Sequence, residues 1–581
     1  MIELMVIAPM VFASVAALFM GRNHWKYVPY VAVLCSLISL ALAGYLLFNN
    51  PGGWSAVWFT AGSVVFMLST VAAPMNMLLL MLVSIMTPLV LVYSMGYMRV
   101  PTEQGRYYFE ICAFAAAMML FAISGDLITM FMGWEMLGLT SYLLIGFWHQ
   151  KSSAVNAGNK AITIIFMGDM MMLGGIVLMW MALHTFSFAA IASAPHAGAV
   201  AYLAILLIIL AAFTKSAQFP FHEWLADAME GPTPVSAFLH SSTMVKAGVF
   251  LLAVLLPMIS AFKLGPLLVI VGAVSAVVGA LNAATETHIK RILAYSTIED
   301  LGLMIIALGF NSIAAAMMLF TVQTFYKAQL FMDAGYIMEA NGDKTDIREI
   351  AGPRGYKHLL ILEAIGAASL AGIFPLSGFF GKALIDAAAP NIAIYLLLSA
   401  ISLLSSFYIF RWLLVPIRNG RSAKRYGAIP RSMIAPIYVL GALIIAMSAA
   451  YLFVPSYIGY VLELSIMRAA IFTVVAVAGL AIAFVQYHSS RSKFALPSWL
   501  GFIYTRQTVN AAYGAAVSAT GAIAEAADSF EYWAYAFISA GAHGFNELGS
   551  LISRIENGRL DYYLVLFVVG VAAIFIIMVA V

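Results

Sequence analysis

The chain has 581 residues, of which 63% are apolar, 13% aromatic and 9% charged. Soluble domains carry roughly 25% charged and 45–50% apolar residues, so a water-soluble globular fold is excluded. The net charge of +3 is small and the basic residues are scattered, which excludes a nucleic-acid partner.

A membrane-spanning helix uses ~20 apolar residues, and runs bounded by Gly, Pro, Asn or charge give about sixteen of them. The sequence therefore predicts an all-α polytopic membrane protein. The first span, near 2–20, begins MIELMVIAPM with no basic n-region, so it reads as a span rather than a signal peptide. Spans near 29–48 and 75–98 complete an N-terminal group in 1–107. Five follow near 108–123, 126–148, 157–184, 199–219 and 232–257, filling 108–260. A second five, near 264–284, 292–310, 312–340, 357–388 and 393–416, fills 261–418. Spans near 433–453 and 465–487 occupy 419–498, and 562–581 reads as an anchor within 561–581. Cys35 and Cys112 lie in apolar runs without partner spacing, so no iron–sulfur, zinc or disulfide site is expected.

Between the last two spans, residues 499–560 mix charge with apolar side chains. Phe530, Trp533, Phe537, Gly541, Phe545 and Leu548 recur at helical spacing, while Asp528, Glu531 and Arg554 fall largely elsewhere on the wheel. This predicts an amphipathic lateral helix in the cytoplasmic interface or along other subunits. If continuous, it would run ~90 Å. The alternative is a loose linker.

Loop charges give orientation. Loops after odd-numbered spans hold Arg22, Lys26, Arg99, Arg106, Lys151, Lys290, Arg291, Lys344, Arg348 and a cluster from Arg418 to Arg431. Loops after even-numbered spans hold only Lys263, with Arg468 a mild exception at the outer end of span fifteen. The positive-inside rule makes the odd loops cytoplasmic and places both termini outside.

A weak internal repeat links the two groups of five. Glu135-Met-Leu137-Gly138-Leu139 matches Glu299-Asp-Leu301-Gly302-Leu303, and Asp169 matches Asp333 at the same offset. Copies displaced by five spans have opposite orientations, because five is odd. Inverted five-helix repeats are a transporter architecture.

Charges inside the spans are costly and usually functional. Here they comprise Glu135, Asp169, Lys215, His240, Lys246, Glu299, Asp300, Lys327, Asp333, Glu363 and Lys382. Acids and bases alternate, and a lysine beside a carboxylate can hold or lose its proton as the acid's charge changes. That is the element of a proton relay. The bland reading is a set of buried ion pairs that fix helix packing. Two spans are also broken, by Pro220 five residues after Lys215 and by Pro375 seven before Lys382. Proline frees backbone groups, and irregular backbone at membrane depth must line a cavity or pack against protein.

The stretch TKSAQFPFHEWLADAMEGPTPVSAFLHSSTMVKAGVFLLA resembles the most recognisable segment of the antiporter-like proton-channel subunits. These occur in respiratory complex I, related membrane-bound hydrogenases and dehydrogenases, and multisubunit Na+/H+ antiporters. HIKRILAYSTIEDLGLM and GDLITMFMGWEMLGLTSYLLIGFW are similar to two further signatures, and SRIENGRLDYYLVLFVVG to the tail of the L-type subunit. The resemblance implies a proton relay of Glu135, Lys215, His240, Lys327 and Lys382 along the membrane plane. It also shows departures. Gln323 and Leu319 stand where the family has histidines, Ala383 where it has aspartate, and Ile298-Glu299-Asp300 where it has Ser-Gln. An amide cannot titrate near neutral pH, so the expectation is that Glu299 serves Lys327 as Glu135 serves Lys215. The alternative is that both acids are solvated near the cytoplasmic end of span ten.

The resemblance further implies an energy-transducing cell membrane and no cofactor in this chain, with flavin and iron–sulfur clusters in partner subunits. Other antiporter-like and small membrane subunits, contacted by the lateral helix, would be its partners. The transported ion would be H+ or Na+. The leading reading is a proton-translocating subunit of a complex I-like oxidoreductase. A Na+/H+ antiporter subunit without redox chemistry, and a scaffold that has lost its channel, are the alternatives.

Overall fold

The computed structural model describes residues 2–488, apart from 22, 50–51, 63, 195–197, 353–356, 420–428 and 460–465. These fall within one unit, Met1–Phe494; the predicted lateral helix at 499–560 and the anchor at 562–581 lie outside the described residues.

Among the described residues, 13 helices are long and apolar enough to cross a membrane. Two more predicted spans are helical but fall below that criterion for visible reasons. Ile313–Ala340 carries Gln323, Lys327, Gln329 and Asp333 in its interior, and the span predicted at 357–388 is split into Lys357–Ala371 and Ser377–Ala387. The protein is thus a polytopic helical bundle.

Local chemistry explains where the boundaries differ from the sequence reading. The fourth span begins at Pro101, two turns before the predicted start. Its first turns carry charge, and Arg106 and Glu110 neutralise each other one turn apart at 2.7 Å. The eighth is interrupted between Thr233–Ser241 and Met244–Val254. The region between spans two and three holds an unpredicted antiparallel hairpin, Gly53–Ala61 with Val64–Val71. Its β-branched and aromatic residues, bracketed by Gly52 and Gly62, were the available signal. Gly62 turns the hairpin at φ +61°. The hairpin meets the bundle where Ser69 donates to Asp126, whose carboxylate caps Leu127–Ile145 by accepting from Thr129 N at 2.8 Å.

Two blocks of five spans follow, from Pro101 to Val254 and from Gly265 to Arg418. In each the fourth member breaks before a proline, at Phe219–Pro220 and at Phe374–Pro375, both cis. Small residues permit the close crossings. A Cβ on Gly168 would lie 1.8 Å from Thr214 Oγ1, and one on Gly302 would lie 2.6 Å from Gly272 O. Only hydrogen fits at these positions, so the Asp169 helix lies directly against the Lys215 helix.

Candidate functional site

In the first block, Lys215 is the last residue of Gly198–Lys215 and is wholly buried. The break just beyond it frees backbone groups, and the fold satisfies them locally. Ser216 N and Gln218 N donate to Ala212 O and Phe213 O, and Trp224 Nε1 donates to Thr214 O at 3.0 Å. Lys215 Nζ donates to Trp134 O at 2.9 Å and lies 4.6 Å above the Trp134 ring. Its ion pair is with Asp169 Oδ1 at 3.4 Å, an oxygen that also accepts from Trp134 Nε1 at 2.6 Å. Glu135, on the next position of that helix, is half-buried and one of its carboxylate oxygens has no hydrogen-bond partner. It lies within electrostatic reach of both Asp169 and Lys215. The direct acid for Lys215 is therefore Asp169, with Glu135 in second place.

Between the blocks runs a lane of buried polar groups. Neither ring nitrogen of His240 has a hydrogen-bond partner, and the ring sits between Trp224 and Phe331 at centroid distances of 6.4 and 6.1 Å. Lys246, wholly buried, crosses into the second block by donating to Phe320 O at 2.5 Å and Thr324 Oγ1 at 2.6 Å. Gln323 is wholly buried with both amide atoms unpartnered. Buried groups of this kind are usually satisfied by ordered water.

The second block gathers two acids and two bases from three helices. Lys327 Nζ lies 3.2 Å from Asp300 Oδ2 and donates to Ser296 Oγ. Tyr326 donates to the same Asp300 oxygen at 3.0 Å. Lys382 Nζ lies 3.2 Å from Glu299 Oε1 and 3.5 Å from Asp300 Oδ1. Ser405 donates to Glu299 Oε1, and Tyr408 to Oε2 at 2.7 Å. All four charged residues are at most 3% exposed. The sequence expectation and its alternative are both corrected here. Glu299 and Asp300 are not solvated, and the acid against Lys327 is Asp300 while Glu299 faces Lys382. The reason is helical phase: adjacent residues point ~100° apart, so two neighbouring acids reach two different lysines.

Asp333 stands apart from both clusters. It accepts from Gln329 Nε2 at 3.3 Å, on the face of its helix that meets Leu362 and Glu363, and Tyr336 donates to Glu363. The offset match of Asp169 with Asp333 thus does not carry over into contacts. Trp134, Ser405 and Tyr408 were missed by sequence reasoning. None is charged, and only the packing shows that they hold a charged group.

The bundle and its paired buried lysines define an antiporter-like membrane subunit. The family described as NADH:quinone oxidoreductase/Mrp antiporter, TM matches residues 124–408, which takes in nine of the ten spans of the two blocks, the last in part. NADH-quinone oxidoreductase subunit L of Campylobacter jejuni is 34% identical over 435 residues, 71% of each chain. NAD(P)H-quinone oxidoreductase chain 5 of Synechocystis sp. is 33% identical over 416 residues, covering 67% of this chain and 61% of that one. The Mrp complex from a Dietzia species superposes with a TM-score of 0.73 at 25% identity, over 94% of this chain and 63% of that one. A membrane-bound sulfane sulfur reductase, an archaeal respiratory complex, shares the fold with a TM-score of 0.70 at 19% identity. This chain belongs to the NADH:quinone oxidoreductase/Mrp antiporter family of membrane subunits.

Proposed function

We propose that this chain is a proton-translocating membrane subunit of a complex I-like oxidoreductase, driven by redox chemistry in partner subunits. The observation that carries the reading is a lysine–carboxylate cluster buried beside a broken helix in each block, with Lys246, His240 and Gln323 as further buried polar groups. A buried lysine keeps its proton while its carboxylate is charged and near, and loses it when that charge moves or is neutralised. In the first block, Lys215 has two acids within reach. A shift of Lys215 from Asp169 toward Glu135 would alter the field at Lys246 and through it at Lys327. In the second block, Asp300 touches both lysines, so a proton leaving Lys327 changes the electrostatics of Lys382. Helix breaks let water reach the lysines without exposing regular helix backbone.

The basic loops would face the cytoplasm, and the segment 499–560 would dock against neighbouring membrane subunits. The Mrp likeness supports a second reading, a Na+/H+ antiporter subunit. Reconstitution of the assembled complex decides both points. Lys215→Ala is expected to abolish proton pumping in vesicles while the complex still assembles; pumping at the parental rate would overturn the relay. Sodium uptake in place of acidification, without electron transfer, would favour the antiporter.

A further inference from the structure

The residue after Lys382 is Ala383, which cannot carry a proton. One turn further along Ser377–Ala387 lies Asp386, which the relay above does not use. It is 2% exposed, and neither of its carboxylate oxygens has a hydrogen-bond partner. Lys382 and Asp386 line a small cavity of about 10 Å³ together with Ser402, whose hydroxyl is also unpartnered. That is close to the space one water occupies, and the unpartnered Asp386 carboxylate and Ser402 hydroxyl can partner it beside Lys382. Beyond Asp386 the helix ends at Ala387 and the chain reaches exposed Pro390.

Arg468 closes this end. Its Nη1 donates to Ala387 O at 2.8 Å and lies 3.3 and 3.5 Å from Asp386 O and Ala389 O, and its guanidinium lies over Tyr395 at 5.6 Å. A cation on these terminal carbonyls is favoured by the helix dipole, which accounts for an arginine in the first turn of Ile466–His488. It also places a fixed positive charge within electrostatic reach of Asp386.

We propose that Asp386 is the proton-release group of the second cluster. The inference rests on the proton-pumping reading. The Lys382 ammonium gives a proton to the cavity water, which passes one to the Asp386 carboxylate. The resulting carboxylic acid releases it to solvent beyond Pro390, and the Arg468 charge favours that release by stabilising the carboxylate. One proton moves and nothing is consumed.

The test uses the whole complex in vesicles, reading protons moved per electron-transfer turnover, with Lys215→Ala as reference. Asp386→Asn is expected to lower the ratio as far as Lys215→Ala does, since both remove a proton-transfer group of the same subunit, while Asp386→Glu retains most of it. Ser402→Val, which fills the water cavity but spares the acid, is expected to lower the ratio as well, and it carries the test if the asparagine variant fails to assemble. Unchanged pumping in Asp386→Asn or in Ser402→Val, with Lys215→Ala inactive, overturns this inference alone. Equal losses in Asp386→Asn and Asp386→Glu would mark the residue as structural and overturn it too. Full pumping by Lys215→Ala would instead remove the functional reading beneath it.

Discussion

In the first five-span block one lysine, Lys215, meets one carboxylate, Asp169, while Glu135 stands half-buried nearby. In the second, Lys327, Lys382, Glu299 and Asp300 form a single buried group of two acids and two bases. Both arrangements answer the same electrostatic demand, since a buried charge must be paired. They differ in what happens when one member changes. The first block holds its lysine with an aromatic face and a carbonyl, so the charge has neutral support. The second relies on carboxylates, and one of them is shared.

Asp300→Asn should therefore have the largest effect, because it takes an acid from Lys327 and from Lys382 together. Breaking a buried pair costs about 3–5 kcal/mol, so loss of pumping with reduced assembly is expected in vesicles and on native gels. Normal pumping would show that the two lysines do not depend on a common acid. Asp169→Asn should cost less, because Trp134 and Glu135 remain near Lys215; if it proves as damaging as Asp300→Asn, the contrast between the blocks fails. Glu299→Gln should be milder than Asp300→Asn, since Lys382 keeps Asp300 at 3.5 Å. The amide still accepts from Ser405 or Tyr408, and a cost of about 1–3 kcal/mol is expected from the weakened contacts. Parental pumping across neutral pH would place Glu299 outside the relay.

Packing supplies a further test of the first block. Gly168→Ala would place a methyl 1.8 Å from Thr214 Oγ1. Overpacking of this kind costs about 1–3 kcal/mol, read as a lower melting temperature of the purified protein, and Thr214→Ala in the same chain should restore part of it. No change in melting would mean that these two helices can separate freely.

The smallest expected effect concerns the entry to the Glu299 helix. His288 caps Ile289–Gly309, its ring accepting from Lys290 N and Arg291 N. Burial, with Lys290 and Arg291 alongside, holds its imidazole down at about 3 against an ordinary 6.5. The unfolded chain takes up this proton first. The cap's contribution is thus complete above pH ~6.5 and is lost as pH falls toward ~3. His288→Asn, which caps without titrating, is expected to flatten the fall in melting temperature over that range. An unchanged acid profile would count against a neutral histidine at this cap.

The sequence alone determined the spans within the described residues, the two breaks and most of the intramembrane charges, Asp386 and Arg411 excepted. Each of these is local: a run of apolar residues long enough to cross a bilayer, a proline that cannot donate, an ionisable group in an apolar run. The resemblance also implied departures from the family pattern in the second block, at Gln323, Ala383, Glu299 and Asp300. Only the tertiary structure decided which acid meets which base. Asp169 rather than Glu135 reaches Lys215, Asp300 rather than Glu299 reaches Lys327, and Asp333 joins neither cluster. Those contacts depend on helical phase, on glycines that let helices close, and on where a broken helix points its second half, and none of these can be read from residue spacing along one span.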